Sequence, residues 1–188
     1  GDIFIYSLLN NTYIDQTTMI VGFAKSLPEV HAVTPRYLKT GTIEANYKEE
    51  IATKKPTDLD KSVGTQMVGI NPNDENSVTK ISDLIIKGEF LNENDYDKVV
   101  IGALLLKEYL DFESSAFLTL SNVEVGSKVR ITVNGNTREV IVKGIIKSKV
   151  DEIDRRVFFV DKQFRGLINR FDYNANEIVL RLQPNVDP

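Results

Sequence analysis

Between Val68 and Gly102 the chain reads VGINPNDENSVTKISDLIIKGEFLNENDYDKVVIG, and no other segment constrains the fold as tightly. Gln66–Ile70 predicts a strand that runs into a turn at Asn71-Pro72. Val78, Ile81, Leu84 and Ile85 then recur at helical spacing and predict a short amphipathic helix. Gly88 is the natural residue to close that helix, because glycine takes the left-handed conformation at no steric cost. An acidic loop carrying Asp95 and Asp97 follows, and the continuous apolar run Val99–Ile101 predicts a buried strand. Strand, helix and strand in such close order require a mixed α/β architecture.

The flanks extend that pattern. Asp2–Leu8 reads as a strand, Asn10-Asn11 as a turn, and Asp15 as the N-cap of a helix. Ile20, Phe23, Ala24 and Leu27 would form its apolar face, and Pro28 would end it. Val30–Thr40 and Gly41–Tyr47 return to extended structure. Residues 48–61 are polar and charged and read as an exposed loop at a change of subdomain. Ala103–Leu110 is helical by propensity.

Lys128–Val133 and Arg138–Ile146 form a hairpin around Asn134-Gly135. A two-residue loop would set Ile131 opposite Arg138. A four-residue loop, Asn134–Thr137, would pair Ile131 with Val140 and Val129 with Val142. Apolar cross-strand pairing favours the longer loop. Val157–Val160 and Glu177–Leu182 read as strands, and Lys162–Arg170 as a short helix. The closing Val186-Asp187-Pro188 is a helix-start signal, so a further helix and strand are expected to belong to this domain.

Composition narrows the function classes. The chain has 188 residues, 41% hydrophobic and 27% charged, enough to bury a core without staples. A net charge of −4 argues against nucleic acid as a partner and does not favour an anionic membrane surface. The absence of cysteine excludes a thiol nucleophile, a cysteine zinc site and a disulfide framework. No apolar run reaches the roughly 18 residues that a membrane-spanning helix needs.

Five motifs, in order, carry a resemblance: Val68-Gly69-Ile70-Asn71-Pro72, Gly88-Glu89-Phe90-Leu91, Val99-Val100-Ile101-Gly102, Val125-Gly126-Ser127-Lys128-Val129 and Val142-Lys143-Gly144-Ile145. Their spacing resembles the extracytoplasmic, MacB-like core domain of ABC-transporter permeases of the macrolide-exporter and lipoprotein-releasing (FtsX-like) type. The chain departs from that pattern in the long apolar link Phe112–Leu120 and in Ser127, where aspartate is common. The resemblance implies an α+β fold: a strand-helix-strand, porter-like core interrupted by a β-rich inserted subdomain. Residues 1–52 would open the core, 53–150 would form the insertion, and 151–188 would return to the core. It also implies a place on the extracytoplasmic face of the cell membrane and no enzymatic activity. The implied partners are an ABC ATPase subunit, a second permease copy and an exported substrate. ATP-driven movement of the membrane helices would pass to a substrate or partner outside. The alternative is a secreted or surface-attached binding module with no transport role.

No residue pattern calls for catalysis, a cofactor or a metal. His31, the single histidine, lies between Val30 and Ala32 with no triad partners in sequence reach, and reads as structural or solvent-facing. Asp95 and Asp97, with Asn92, Glu93 and Asn94, lack the calcium-loop spacing and read as a solvated loop. Asp151, Glu152 and Asp154, followed by Arg155 and Arg156, read as a charged turn, which the resemblance would place at the subdomain junction. Glycines 69, 88, 102, 126, 135 and 144 form no phosphate-binding motif. Phe158, Phe159, Phe164, Phe171 and Tyr173 read as core rather than as a ligand platform, and Asn10-Asn11-Thr12 matches a glycosylation acceptor.

Overall fold

In the computed structural model, residues 2–8, 10–47, 62–110 and 118–186 are described. The charged loop 48–61, most of the apolar link 112–120 and the Asp187-Pro188 helix start lie outside them. Nine strands and four helices follow in this order: β1 (Asp2–Tyr6), α1 (Thr17–Ser26), β2 (Val30–Glu44), β3 (Ser62–Ile70), α2 (Pro72–Thr79), β4 (Ile85–Gly88), β5 (Lys98–Gly102), β6 (Lys128–Val133), β7 (Asn136–Ile146), α3 (Asp151–Asp154), β8 (Arg156–Val160), α4 (Asp161–Leu167) and β9 (Glu177–Leu182). The class is α+β, as the sequence implies.

The strands run in the order β1-β9-β2-β3-β8-β5-β7-β4, and β6 pairs with both β2 and β7. Those last two pairings close a ring, β2-β3-β8-β5-β7-β6, so six strands form a barrel. Strand positions alternate between faces, so one set points inward. Met67, Val99, Ile101, Ile131, Val157 and Phe159 belong to the main core cluster that fills the ring, each fully buried. Phe164 and Leu167 of α4 join the same cluster. Val68, Ile70, Val100, Phe158 and Val160, the alternate positions, pack outside against Ile81 and Leu91. β8 is therefore buried on both faces, which is why it reads RVFFV without alternation.

β2 leaves the barrel and continues into a second, smaller layer. Its first half pairs with β9, and β9 pairs with β1, both antiparallel. The expected strand-helix-strand unit of β1, α1 and β2 is thus split by a strand from the far end of the sequence. α1 covers one face of this layer, where Ala24, Val33, Ile178 and Leu180 are buried and Ile20 and Val21 pack alongside.

Local chemistry explains where the elements begin and end. Asn71 caps α2 by accepting the N–H groups of Asn73 and Asp74, both at 3.0 Å, with Pro72 in the first turn. The helix stops at Thr79, earlier than its apolar spacing predicts. Lys80 turns left-handed (φ 59°) and its N–H returns to the Asn76 carbonyl, while the Asn76 side chain takes the Ser82 N–H. Ile81–Leu84 is a 3₁₀ turn and Ile85–Gly88 a strand, so Gly88 does not close a helix. Its φ of +75° serves a crossing beside Gly144, where a Cβ would come within 2.9 Å of Val125 Cγ2.

Other expectations are corrected in the same way. Gln16, itself left-handed, precedes α1 in place of an Asp15 cap and makes no side-chain cap bond. Phe23 is 65% exposed, so it is not part of the helix's buried face. Ala103–Leu110 makes two 3₁₀ turns rather than a helix, because extended Leu106 bridges to Leu120 and commits the backbone to pairing. The hairpin uses the two-residue loop: Ile131 sits opposite Arg138, and Val129 opposite Val140. Asn134 and Gly135 both have positive φ, the type I′ geometry whose twist matches the strands. Turn chemistry prevails over cross-strand apolar pairing. It also puts Arg130 opposite Glu139 outside the barrel.

Candidate functional site

The face of β1-β9-β2 opposite α1 is open and forms the floor of a groove of about 1090 Å³. Strand alternation sets its lining. Ile3 and Ile5 of β1 and Ile178 and Leu180 of β9 turn toward α1, so Phe4, Tyr6, Glu177 and Arg181 turn the other way. Leu38 and Thr40 of β2 and Gln66 of β3 continue the floor toward the barrel. Val78 and Thr79 of α2 form one wall; Val150 with Glu152 and Ile153 of α3 forms another.

A buried charge network braces one end. Arg36 donates from Nε and Nη2 to the two oxygens of Glu75, at 2.9 and 2.8 Å, and from Nη1 to Glu177 at 2.6 Å. Thr34 and Thr79 hydroxyls complete the Glu75 carboxylate at 3.2 and 3.0 Å. Burial alone would lower the Arg36 pKa, but Glu75 and Glu177 outweigh it and hold it above its ordinary value. Asn176 fixes the rim: its amide carbonyl accepts the Leu38 N–H at 2.7 Å and its amide nitrogen donates to the Thr12 carbonyl at 2.9 Å.

Arg156 stands where the groove meets a second cavity. It is 8% exposed, pairs through Nη2 with Glu152, and its buried Nε has no hydrogen-bond partner. The second cavity, about 90 Å³, lies between the Arg36–Glu75 pair and the apolar Ile81, Leu84, Ile153 and Phe158. In the groove, Phe4 and Tyr6 stack with ring centroids 6.2 Å apart while remaining 49% and 62% exposed. These groups can bind by charge, hydrogen bonds and apolar contact.

The residues weighed from the sequence lie mostly elsewhere. His31 is the exposed extra residue of a β-bulge, between the Val30–Leu182 and Ala32–Arg181 pairs. Asp95 is buried: it accepts from Lys143 at 2.6 Å, Lys98 at 3.0 Å and the Asn92 N–H at 2.8 Å. Burial would raise its pKa, yet those donors lower it below the usual carboxylate value, so Asp95 is pinned, while Asn92, Glu93, Asn94 and Asp97 are exposed as a solvated loop requires. Asp97 faces Arg138 instead, at 3.5 Å. Asp154 is buried and accepts the Ser148 N–H at 2.7 Å, which leaves Glu152 alone of that cluster lining the groove. Among the described residues no three acidic or histidine side chains gather as a metal site. Phe158, Phe159 and Phe164 are core, whereas Phe171 and Tyr173 are 87% and 73% exposed. Asn10 has a φ of 84° in an exposed turn.

Sequence reasoning misses Arg36, Glu75 and Glu177 as site residues and takes Arg156 only as part of a charged turn. Their signal was available: charged residues inside otherwise apolar strand patterns, as in Thr34-Pro35-Arg36-Tyr37 and Arg156-Val157-Phe158. Their convergence required knowing that β9 lies between β1 and β2.

Comparison with solved structures places this architecture. The chain matches the extracellular domain of the noncanonic ABC-type transporter YknZ from Gram-positive bacteria with a TM-score of 0.63 and 14% identity, over 98% of this chain and 85% of that one. It matches the periplasmic region of MacB from Actinobacillus actinomycetemcomitans with a TM-score of 0.59 and 14% identity, over 96% of this chain and 69% of that one. No protein-family profile matches, and no curated protein sequence does. At this identity the likeness is one of fold: the chain has the α+β fold of these extracytoplasmic domains.

Proposed function

We propose that this chain is the extracytoplasmic domain of an ABC-transporter permease, anchored at the cell membrane through flanking segments and passing ATP-driven movement of the membrane helices to a substrate or partner outside. The carrying observation is coverage: 98% of the chain follows the fold of the YknZ extracellular domain, including both the barrel and the β1-β9-β2 layer. The domain itself carries out no catalysis on this reading. ATP is hydrolysed by a partner ATPase, a second permease copy completes the machine, and nucleic acid is not a partner. The working division is a core of residues 1–52 and 151–188 around an insertion of 53–150, with β2, β8 and α4 reaching from the core segments into the barrel. The cluster under α1, drawn from residues before 34 and from β9, supports a core built from both ends of the chain. β2 then supplies the stiff link such a device needs, since it runs unbroken from the core layer into the barrel.

These 188 residues contain no cysteine, so an introduced thiol reports on this domain once the unsubstituted full-length protein is labelled in parallel. Phe171→Cys in the full-length protein, at a position 87% exposed, should react in intact cells with a membrane-impermeant maleimide and fractionate with the membrane. Labelling only after lysis would exclude the extracytoplasmic placement. Labelled protein found free in the medium would favour the secreted binding module.

A further inference from the structure

We propose that β1 is an interior strand in the intact protein. A helix and then a strand, both following β9 in the same polypeptide, complete the small layer. The helix lies beside α1, and the strand pairs with the outer edge of β1. The inference uses only the β1-β9-β2 layer, so it stands or falls independently of the transport reading.

The edge is the first support. β1 ends the strand order and pairs with β9 on one side only. The backbone groups of its other side point away from the sheet. Sheet margins ordinarily carry a lysine, a proline or a bulge that discourages further pairing. Asp2-Ile3-Phe4-Ile5-Tyr6 has none of these, and its ladder with β9 runs unbroken over five residues. Such an edge accepts another strand.

The face beside it is incompletely covered. α1 packs on β2 and, less extensively, on β9. Ile3 and Ile5 of β1 turn to the same side and remain half-buried. The two flanks of α1 also differ. Lys25 reaches Asp74 of α2, the helix packed on β2, at 3.3 Å. A turn of about 100° per residue puts Ile20, Phe23 and Met19 on the opposite flank, toward β1. Phe23 and Met19 are 65% and 63% exposed. With Ile3 and Ile5 they make an apolar shelf of the kind that the apolar stripe of a second helix covers.

Chain direction selects the occupant. β1, α1 and β2 form a crossover between parallel strands that steps over β9, with α1 on one face. Such crossovers keep one hand. β9 runs the opposite way, so a crossover of the same hand leaving β9 on the α1 face steps back over β1 to its open edge. The strand it delivers is antiparallel to β1, which gives the order of a split β-α-β fold. The exit point agrees. The Gln183 N–H donates to the Glu29 carbonyl at 2.8 Å, so the chain leaves β9 beside the C-terminal end of α1. Asp187-Pro188, soon after, is a helix-start pair. A helix begun there runs antiparallel to α1 along its apolar flank. A second copy or another protein offers a strand for the edge but no helix tethered at this point. In these 188 residues β1 is the outer margin; the added strand makes it internal.

The test is photo-crosslinking of the full-length protein with p-benzoylphenylalanine in place of Phe23, an exposed position outside the packed core. Peptide mass spectrometry should place the crosslink within the monomer, on residues that follow Pro188. Phe23→Cys should react with a maleimide about tenfold more slowly than Phe171→Cys, although the two side chains are 65% and 87% exposed in these 188 residues. Met19→Cys should behave as Phe23→Cys does. Hydrogen exchange should protect the amides of residues 3–6 as fully as those of β9. A crosslink to a second copy, to another protein or to any other segment would overturn the proposal. So would the absence of a crosslink, equal maleimide rates at positions 23 and 171, or amides of β1 that exchange much faster than those of β9.

Discussion

Arg36 and Glu75 meet in a bidentate pair at 2.9 and 2.8 Å, with side chains 10% and 1% exposed, and this pair ties α2 to the sheet. Buried pairs add little over apolar packing, but removing one member leaves an uncompensated charge. Glu75→Ala leaves Arg36 its ion pair with Glu177 but strips the acceptors from its buried Nε and Nη2, and should cost about 3 kcal/mol in urea denaturation. A loss no larger than that of an exposed surface substitution would show that water reaches the guanidinium and that α2 is not held there.

Asp95 gives the pH dependence. Its pKa is depressed in the folded state by Lys143, Asn92 and Lys98 against the opposing effect of burial. The stabilisation is complete above the unfolded value of about 3.9 and is lost as pH falls through the lower folded value. Asp95→Asn should reduce stability at pH 7 by about 2 kcal/mol through weakened charged hydrogen bonds. It should also flatten the acid limb of a stability curve measured from pH 6 downward. An unchanged acid limb would mean that other carboxylates govern it.

Gly102 ends β5 against α3, where a Cβ would stand 2.8 Å from the Asp154 Cα and closer still to its carbonyl. Both are backbone and cannot rotate away. Gly102→Ala should cost about 1–3 kcal/mol by overpacking, read as a lowered thermal midpoint. A neutral result would mean that α3 shifts freely.

Gly135 holds φ +78° in the two-residue hairpin loop with nothing nearby to clash. Gly135→Ala should thus lose stability from backbone conformation alone, about 1–2 kcal/mol, with no change in the β6–β7 register seen by cross-strand nuclear Overhauser effects. A shift to the Ile131–Val140 pairing would show that the loop does not set the register.

Strand identities other than β4 were legible because apolar runs such as Val99–Ile101 and Phe158-Phe159 have few other uses. Closure of the barrel was not, since it depends on β6 meeting the end of β2, a pairing between residues 42–44 and 130–132 with no local signal. Helix ends failed where a side chain competed with periodicity: Asn76 captures the Ser82 N–H and stops α2, although Ile81, Leu84 and Ile85 keep helical spacing. Those three residues meet the outer core after all, from a 3₁₀ turn and a strand. The groove was hidden for a topological reason. Phe4, Arg36, Arg156 and Arg181 come from four strands, and only β9 lying between β1 and β2 makes them neighbours.

Strand β2, fifteen residues and about 50 Å when extended, has one consequence for how the molecule comes apart. Residues Val30–Arg36 are held by β9 and Tyr37–Glu44 by β3, so neither layer can melt while its half of β2 stays ordered independently of the other. Amide hydrogens along β2 should then exchange with one shared opening free energy, and those of β1, at the outer margin, with a smaller one. A protein assembled in this way would fray first at β1 and then come apart as a single cooperative unit, with no stable half left behind.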